Sequence, residues 1–209
     1  MPSICRPSRS AACRLPPTTS PGIAEIRLSD WAGAVVAAAD HAGFERFVLV
    51  GHSLGGLTLT EVARRYPGRV AHLVYIAALV PRDGERAIDA MDPDLMARVA
   101  NGLTDELMID MMCNDLDEKQ TRFVLDHRGH EVIQVMVEPI SHDGLPAGMA
   151  KTYVRLTRDQ SLPPVSQDRS IDALRANVSV VELDTGHMVM IGRPDLVAPI
   201  LDQIAGSAS

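Results

Sequence analysis

The chain has 209 residues, 46% of them hydrophobic and 22% charged, the composition of one globular domain with enough chain to bury a full core. Twenty Lys and Arg against 27 Asp and Glu give a net charge of −7. That balance argues against nucleic-acid binding, which needs clustered basic side chains, and no run approaches the roughly 18 consecutive apolar residues of a membrane span.

The first 22 residues stand apart. They carry Pro2, Pro7, Pro16, Pro17 and Pro21 with Arg6, Arg9 and Arg14, and no acidic residue. Without an apolar period, residues 1–22 are expected to be a disordered or non-family segment. They hold no continuous apolar stretch of the secretory type, and their Arg and Ser content suits a transit peptide only without the amphipathic helix.

Residues 23–209 alternate between helix and strand. Ser29 or Asp30 is expected to cap a helix running to Ala42, with Trp31, Val35, Val36 and Ala39 inward and Gly43 as its stop. Phe47-Val48-Leu49-Val50 is a continuous apolar run ending at Gly51, the pattern of a strand buried on both faces. A helix is expected over 54–65, ended by Pro67, and a second buried strand over 70–78. Two further strands are expected over 151–157 and 178–183, and a closing amphipathic helix over 194–205 with Pro at its start. Strands separated by helices imply an open, mostly parallel α/β sheet with flanking helices.

Residues 82–150 break this rhythm. Helical segments are expected over 85–100, 104–112 and 117–126, with a fourth over 131–137. Seven of the ten methionines lie here: Met91, Met96, Met108, Met111, Met112, Met136 and Met149. A Met-rich helical insertion after the second strand reads as a cap. Soft side chains suit apolar ligands, and open α/β sheets place their sites at the carboxyl ends of strands.

Gly51-His52-Ser53-Leu54-Gly55 fits G-x-S-x-G, placed after a buried strand and before a helix. In that position a serine stands on a sharp turn with its Oγ clear of the sheet. The flanking glycines avoid collision with neighbouring backbone, and the helix N-terminus offers free N–H groups to a developing oxyanion. A serine hydroxyl needs a base. His187, in Leu183-Asp184-Thr185-Gly186-His187 after the last strand, is the best placed of seven histidines. His52 neighbours the serine, but adjacent side chains on a tight turn are expected to point apart. The base in turn needs a carboxylate. Asp159 follows the third strand and gives the order Ser…Asp…His; Asp83 is the alternative acid, and Asp184 lies too close to His187 in sequence.

Gly51-His52-Ser53-Leu54-Gly55-Gly56, Thr157-Arg158-Asp159-Gln160 and Gly186-His187-Met188 together resemble the α/β-hydrolase superfamily. Within it the chain is similar to the small esterase and hydroxynitrile-lyase group that includes plant methylesterases and their bacterial relatives. Cys113-Asn114-Asp115-Leu116 and Leu162-Pro163-Pro164 also resemble that group, and the likeness runs from about residue 26 to the end. The resemblance implies that Ser53, Asp159 and His187 form a triad and that the backbone N–H of Leu54 is one oxyanion donor. The lyases of the group carry a lysine after the histidine; Met188 stands there in this chain, as in the esterases.

One family feature is not found before Ser29: a strand ending in a His-Gly type loop that supplies a second oxyanion N–H. By the usual element lengths, roughly the first quarter of a standard domain is missing, so an N-terminally truncated α/β-hydrolase fold is expected. The strand at 47–50 would then be an apolar edge, and a homodimer could form through it. The leading function is a serine hydrolase acting on a small carboxylic ester through an acyl-enzyme. A truncated, inactive or ligand-binding homologue is the alternative, and a lyase the third reading. No cofactor is expected, since neither a metal cluster nor a phosphate-binding glycine loop is visible. A small-molecule ester is the expected partner, with no nucleic acid and no membrane. Three cysteines, Cys5, Cys13 and Cys113, without metal spacing suit a reducing cytoplasm.

Overall fold

Four runs rich in β-branched and aliphatic residues pair side by side in one parallel sheet: β1 (Phe47–His52), β2 (Val70–Ile76), β3 (Lys151–Leu156) and β4 (Val178–Leu183). The computed structural model describes residues 26–100, 102–129 and 133–207, so the expectation for 1–22 lies outside the described residues, as do Cys5 and Cys13. The strand order is β1-β2-β3-β4, which is chain order. The fold is therefore α/β, with an open parallel sheet and flanking helices, and all four expected strands are present.

Side-chain alternation sorts the sheet into two faces. Leu73, Tyr75 and Tyr153 pack with Ala32 and Val36 of α1 (Leu28–His41), Leu59 and Val62 of α2 (Gly55–Arg65) and Ala173 of α8 (Pro164–Ala173). Val74, Ile76, Val154 and Leu156 pack on the opposite face against Val197 and Ile204 of α10 (Pro194–Ser207). Tyr75 pairs with Tyr153 across β2 and β3, their rings stacked 6.4 Å apart. The Tyr153 hydroxyl donates to the Ala78 carbonyl at 2.8 Å.

Helix boundaries depart from expectation where a cap or a proline acts differently. In α1 neither Ser29 nor Asp30 is the cap. The helix begins at Leu28, and the Asp30 carboxylate reaches back to accept the Arg27 N–H at 2.8 Å. The single helix expected over 85–100 is two: α3 (Ala87–Ala90) and α4 (Pro93–Val99). Pro93 cannot continue a helix from the preceding turn, and Asp92 restarts one by accepting the N–H groups of Asp94 and Leu95. α5 (Asp105–Met112), α6 (Glu118–His127) and α7 (Ile133–Val137) follow. The insertion is closed at its base by backbone bonds from Gly84 to Ile140 at 2.8 Å and from Ile140 to Glu85 at 2.9 Å. Its methionines divide: Met136 packs with Leu57, Leu79 and Leu162, while Met149 joins the sheet core beside Tyr153.

α8 and the short α9 (Val189–Gly192) are not visible as periodic apolar segments. α8 earns its place through a polar residue. Gln167 is fully buried; its Oε1 accepts the Leu156 N–H at 2.9 Å, and its Nε2 donates to the carbonyls of Leu156 and Leu162 at 2.9 and 2.8 Å. One amide side chain thus ties the end of β3 to the loop that follows it. Replacing it by the apolar, similarly sized Met strands three buried backbone groups, each costing about 1–3 kcal/mol when unsatisfied. Gln167→Met is therefore expected to lower the unfolding free energy by about 2–4 kcal/mol, read as a shift of the urea midpoint at constant m-value.

Candidate active site

The carboxyl ends of β1, β3 and β4 bring three loops together. At the end of β1 the chain turns sharply into α2, and Ser53 sits at φ 56°. That left-handed conformation costs a non-glycine residue about 1–3 kcal/mol and persists only where neighbours enforce it. Here they do. The Ser53 N–H donates to Ile76 O at 3.2 Å, and the Ser53 carbonyl accepts from Leu79 at 3.0 Å and Gly56 at 3.1 Å. A Cβ at Gly51 would strike Leu59 Cδ1, and one at Gly56 would strike the Leu79 carbonyl. Among the described residues nothing lies within reach of a Cβ at Gly55. The steric requirement expected of the flanking glycines thus falls on Gly51 and Gly56 and not on Gly55. Leu54 is the N-cap of α2, and among the described residues its N–H bonds to no backbone acceptor.

Asp159 and His187 meet in the interior, both side chains fully buried. His187 Nδ1 lies 2.7 Å from Asp159 Oδ2. The other carboxylate oxygen accepts the N–H groups of Ser161 and Leu162, each at 2.8 Å. With Nδ1 donating to a carboxylate, the neutral imidazole carries its lone pair on Nε2, where a general base needs it. Of the other acids, Asp83 accepts the His142 N–H at 2.8 Å, and Asp184 pairs with Arg158 at 3.2 Å on the surface. Neither bonds to His187. Burial and the Asp115 carboxylate push the Cys113 thiol up, which keeps it protonated and unreactive. No group of three His, Cys, Asp or Glu among the described residues could hold a metal ion. Among them no helix is long and apolar enough to cross a membrane.

The link between the Ser53 turn and the His187 loop is His52. Its side chain does not point away, as expected for a neighbour of Ser53 on a tight turn. The His52 ring lies 4.3 Å from the His187 ring, centroid to centroid, and His52 Nε2 donates to the His187 carbonyl at 2.9 Å. Loss of hydration, reinforced by the neighbouring His187, pushes its pKa down to about 3. A neutral His52 donates one hydrogen bond to the His187 loop and does not repel a positive charge on His187. Sequence reasoning missed this role because G-x-S-x-G leaves its second position free. Ser53 Oγ itself makes no hydrogen bond among the described residues.

Comparisons with known proteins agree with this architecture. The model of the alpha/beta hydrolase family matches residues 6–200. Lipase LipV of Mycobacterium tuberculosis is 29% identical over 203 residues, covering 87% of this chain and 77% of the lipase. Among solved structures, an extracellular alpha/beta-hydrolase from a Paenibacillus species superposes with a TM-score of 0.75 at 18% identity, covering 87% of this chain and 81% of that one. Polyneuridine aldehyde esterase gives a TM-score of 0.70 at 19% identity, with 87% and 81% coverage.

The neutral, desolvated His52 ring has a consequence for stability. The unfolded chain binds a proton on this imidazole near pH 6.5, whereas the folded chain resists it down to about 3. Acidification through that window therefore favours unfolding, by up to about 1.4 kcal/mol per pH unit from this group. His52→Phe keeps the ring and removes the titration, so its unfolding free energy is expected to fall less steeply between pH 6.5 and 4. Parallel curves for the variant and the wild type would contradict the assignment.

Proposed function

We propose that this chain, which belongs to the alpha/beta hydrolase family, is a serine hydrolase that cleaves small carboxylic esters through an acyl-enzyme. The observation that carries the reading is the buried Asp159–His187 pair, whose His187 loop bonds to His52, the chain neighbour of a serine held in a left-handed turn. Ser53 Oγ attacks the ester carbonyl as His187 Nε2 takes its proton. The Leu54 N–H donates to the oxyanion. Asp159 keeps Nδ1 protonated and stabilises the imidazolium without taking its proton. Collapse of the tetrahedral intermediate expels the alcohol, which receives the proton from His187, and leaves an ester on the serine. Water, deprotonated by His187, attacks that ester; the carboxylic acid departs and Ser53 regains its proton.

The chain's relatives support ester chemistry, since they include a lipase and an esterase by name, and Met188 after His187 favours it over carbon–carbon cleavage. A second reading, ligand binding without turnover, is favoured by one observation: no His-Gly pair precedes Ser53 in the sequence to supply the second oxyanion N–H. Loss of one such donor costs about 10²–10³ in turnover.

The two readings separate in a screen of p-nitrophenyl esters of short acids with the wild type and Ser53→Ala. The hydrolase reading predicts turnover that falls by about 10³-fold or more in the variant. Hydrolysis unchanged by Ser53→Ala, or no hydrolysis by folded wild type, would overturn it.

A further inference from the structure

The helical insertion touches both loops that carry Asp159 and His187, and it does so through two consecutive residues between α5 and α6. Asn114 Nδ2 donates to the carbonyl of Arg158 at 2.9 Å, one residue before Asp159. Asp115 Oδ2 accepts the N–H of Gly186 at 2.5 Å, one residue before His187. The same oxygen lies 3.7 Å from the Arg158 guanidinium, so the carboxylate stands between the two loops. Farther along, Gln120 Nε2 donates to Ile191 O at 3.1 Å, beyond His187. The 114–120 segment therefore grips the His187 loop on both sides.

Two features mark this contact as built. Gly186 has no side chain to spare: a Cβ there would strike Asn114 Oδ1 and come within 2.5 Å of Asp115 Oδ1. The glycine is what lets the carboxylate reach the backbone. Asp115 is also held at a cost. Its side chain is 10% exposed, and among the described residues its buried Oδ1 has no hydrogen-bond partner. A buried carboxylate oxygen left unsatisfied is unfavourable; it persists because the other oxygen is committed to Gly186.

We propose that Asp115 is a positioning residue for His187: it fixes the Gly186 backbone from the insertion and thereby sets where the imidazole meets Asp159 and the Ser53 turn. The proposal rests on His187 being the general base. Asp115 touches no reacting atom. It acts through the backbone, so its loss alters the rate of the chemical steps and leaves substrate binding in place.

The test compares Asp115→Ala and Asp115→Asn with the wild type. An asparagine keeps an oxygen acceptor for the Gly186 N–H; an alanine does not. Asp115→Ala is expected to lower kcat for a short p-nitrophenyl ester about 10–100-fold with KM little changed, the scale of a misplaced catalytic group. Asp115→Asn is expected to restore most of the loss. A merely structural role would lower the melting temperature of both variants and leave kcat per folded molecule intact. A second readout does not require turnover. The His187 Nδ1–H proton, shielded in its bond to Asp159, is expected as a downfield proton resonance in the wild type and in Asp115→Asn, and to broaden in Asp115→Ala. Should Asp115→Ala not fold, Asp115→Ser, whose shorter side chain cannot reach Gly186, carries the same expectation. Wild-type kcat and an unchanged resonance in the folded variant overturn the proposal. A wild type that hydrolyses no ester overturns the hydrolase reading instead, and the resonance then decides alone whether Asp115 positions His187.

Discussion

The hydrogen bond between Asp159 and His187 is the constraint around which the site is arranged. Both side chains are out of contact with water, and taking a carboxylate out of water costs several kcal/mol unless its lone pairs are met. They are met here by two backbone N–H groups on one oxygen and the imidazole on the other. Hydrogen bonds to a charged group contribute about 1.5–3 kcal/mol each, so the carboxylate is stable only while that set is complete. The backbone donors come from the turn after β3, and that turn is braced by Gln167, a polar residue in the centre of the fold. Acid, turn and brace form one cooperative unit.

The sheet explains why His187 needs so many anchors. Asp159 follows β3 and His187 follows β4, which are adjacent, so their loops meet across one strand spacing of about 4.8 Å. Ser53 follows β1, three spacings away from β4. The His187 loop must fold back over the end of the sheet to approach it. Each contact along that return is a backbone contact: the carbonyl of His187 to His52, the N–H of Gly186 to Asp115, the carbonyl of Ile191 to Gln120. The first comes from the serine's own strand and the others from the helical insertion. The insertion is thus coupled to the loops that carry Asp159 and His187.

Much of this was legible in the sequence. The four strands are continuous apolar or alternating runs; the central pair β2 and β3 is buried, whereas β1, expected to be buried on both faces, and β4 lie at the sheet edges and leave Val50 and Val180 exposed. Asp159 and His187 could be placed because each follows such a strand, where the sheet delivers loops to a common end. What was hidden lies in polar side chains that bond to distant backbone. Gln167 and Asp115 sit in segments with no apolar period, and their partners are 11 and 71 residues away. His52 departs from expectation: chain neighbours on a turn usually diverge, yet its ring lies against His187 and bonds to the His187 carbonyl. The helix broken at Pro93 shows the converse error, in which an apolar period ran across a residue that cannot sustain a helix.

The central claim is that the buried pair activates Ser53. The most direct measurement is the rate of fluorophosphonate labelling, with the adduct mapped by peptide mass, in the wild type and in Asp159→Asn. The account predicts one adduct, on Ser53, formed far more slowly in the variant because the imidazole loses the partner that fixes its tautomer. Equal labelling rates, or an adduct on another residue, would contradict it.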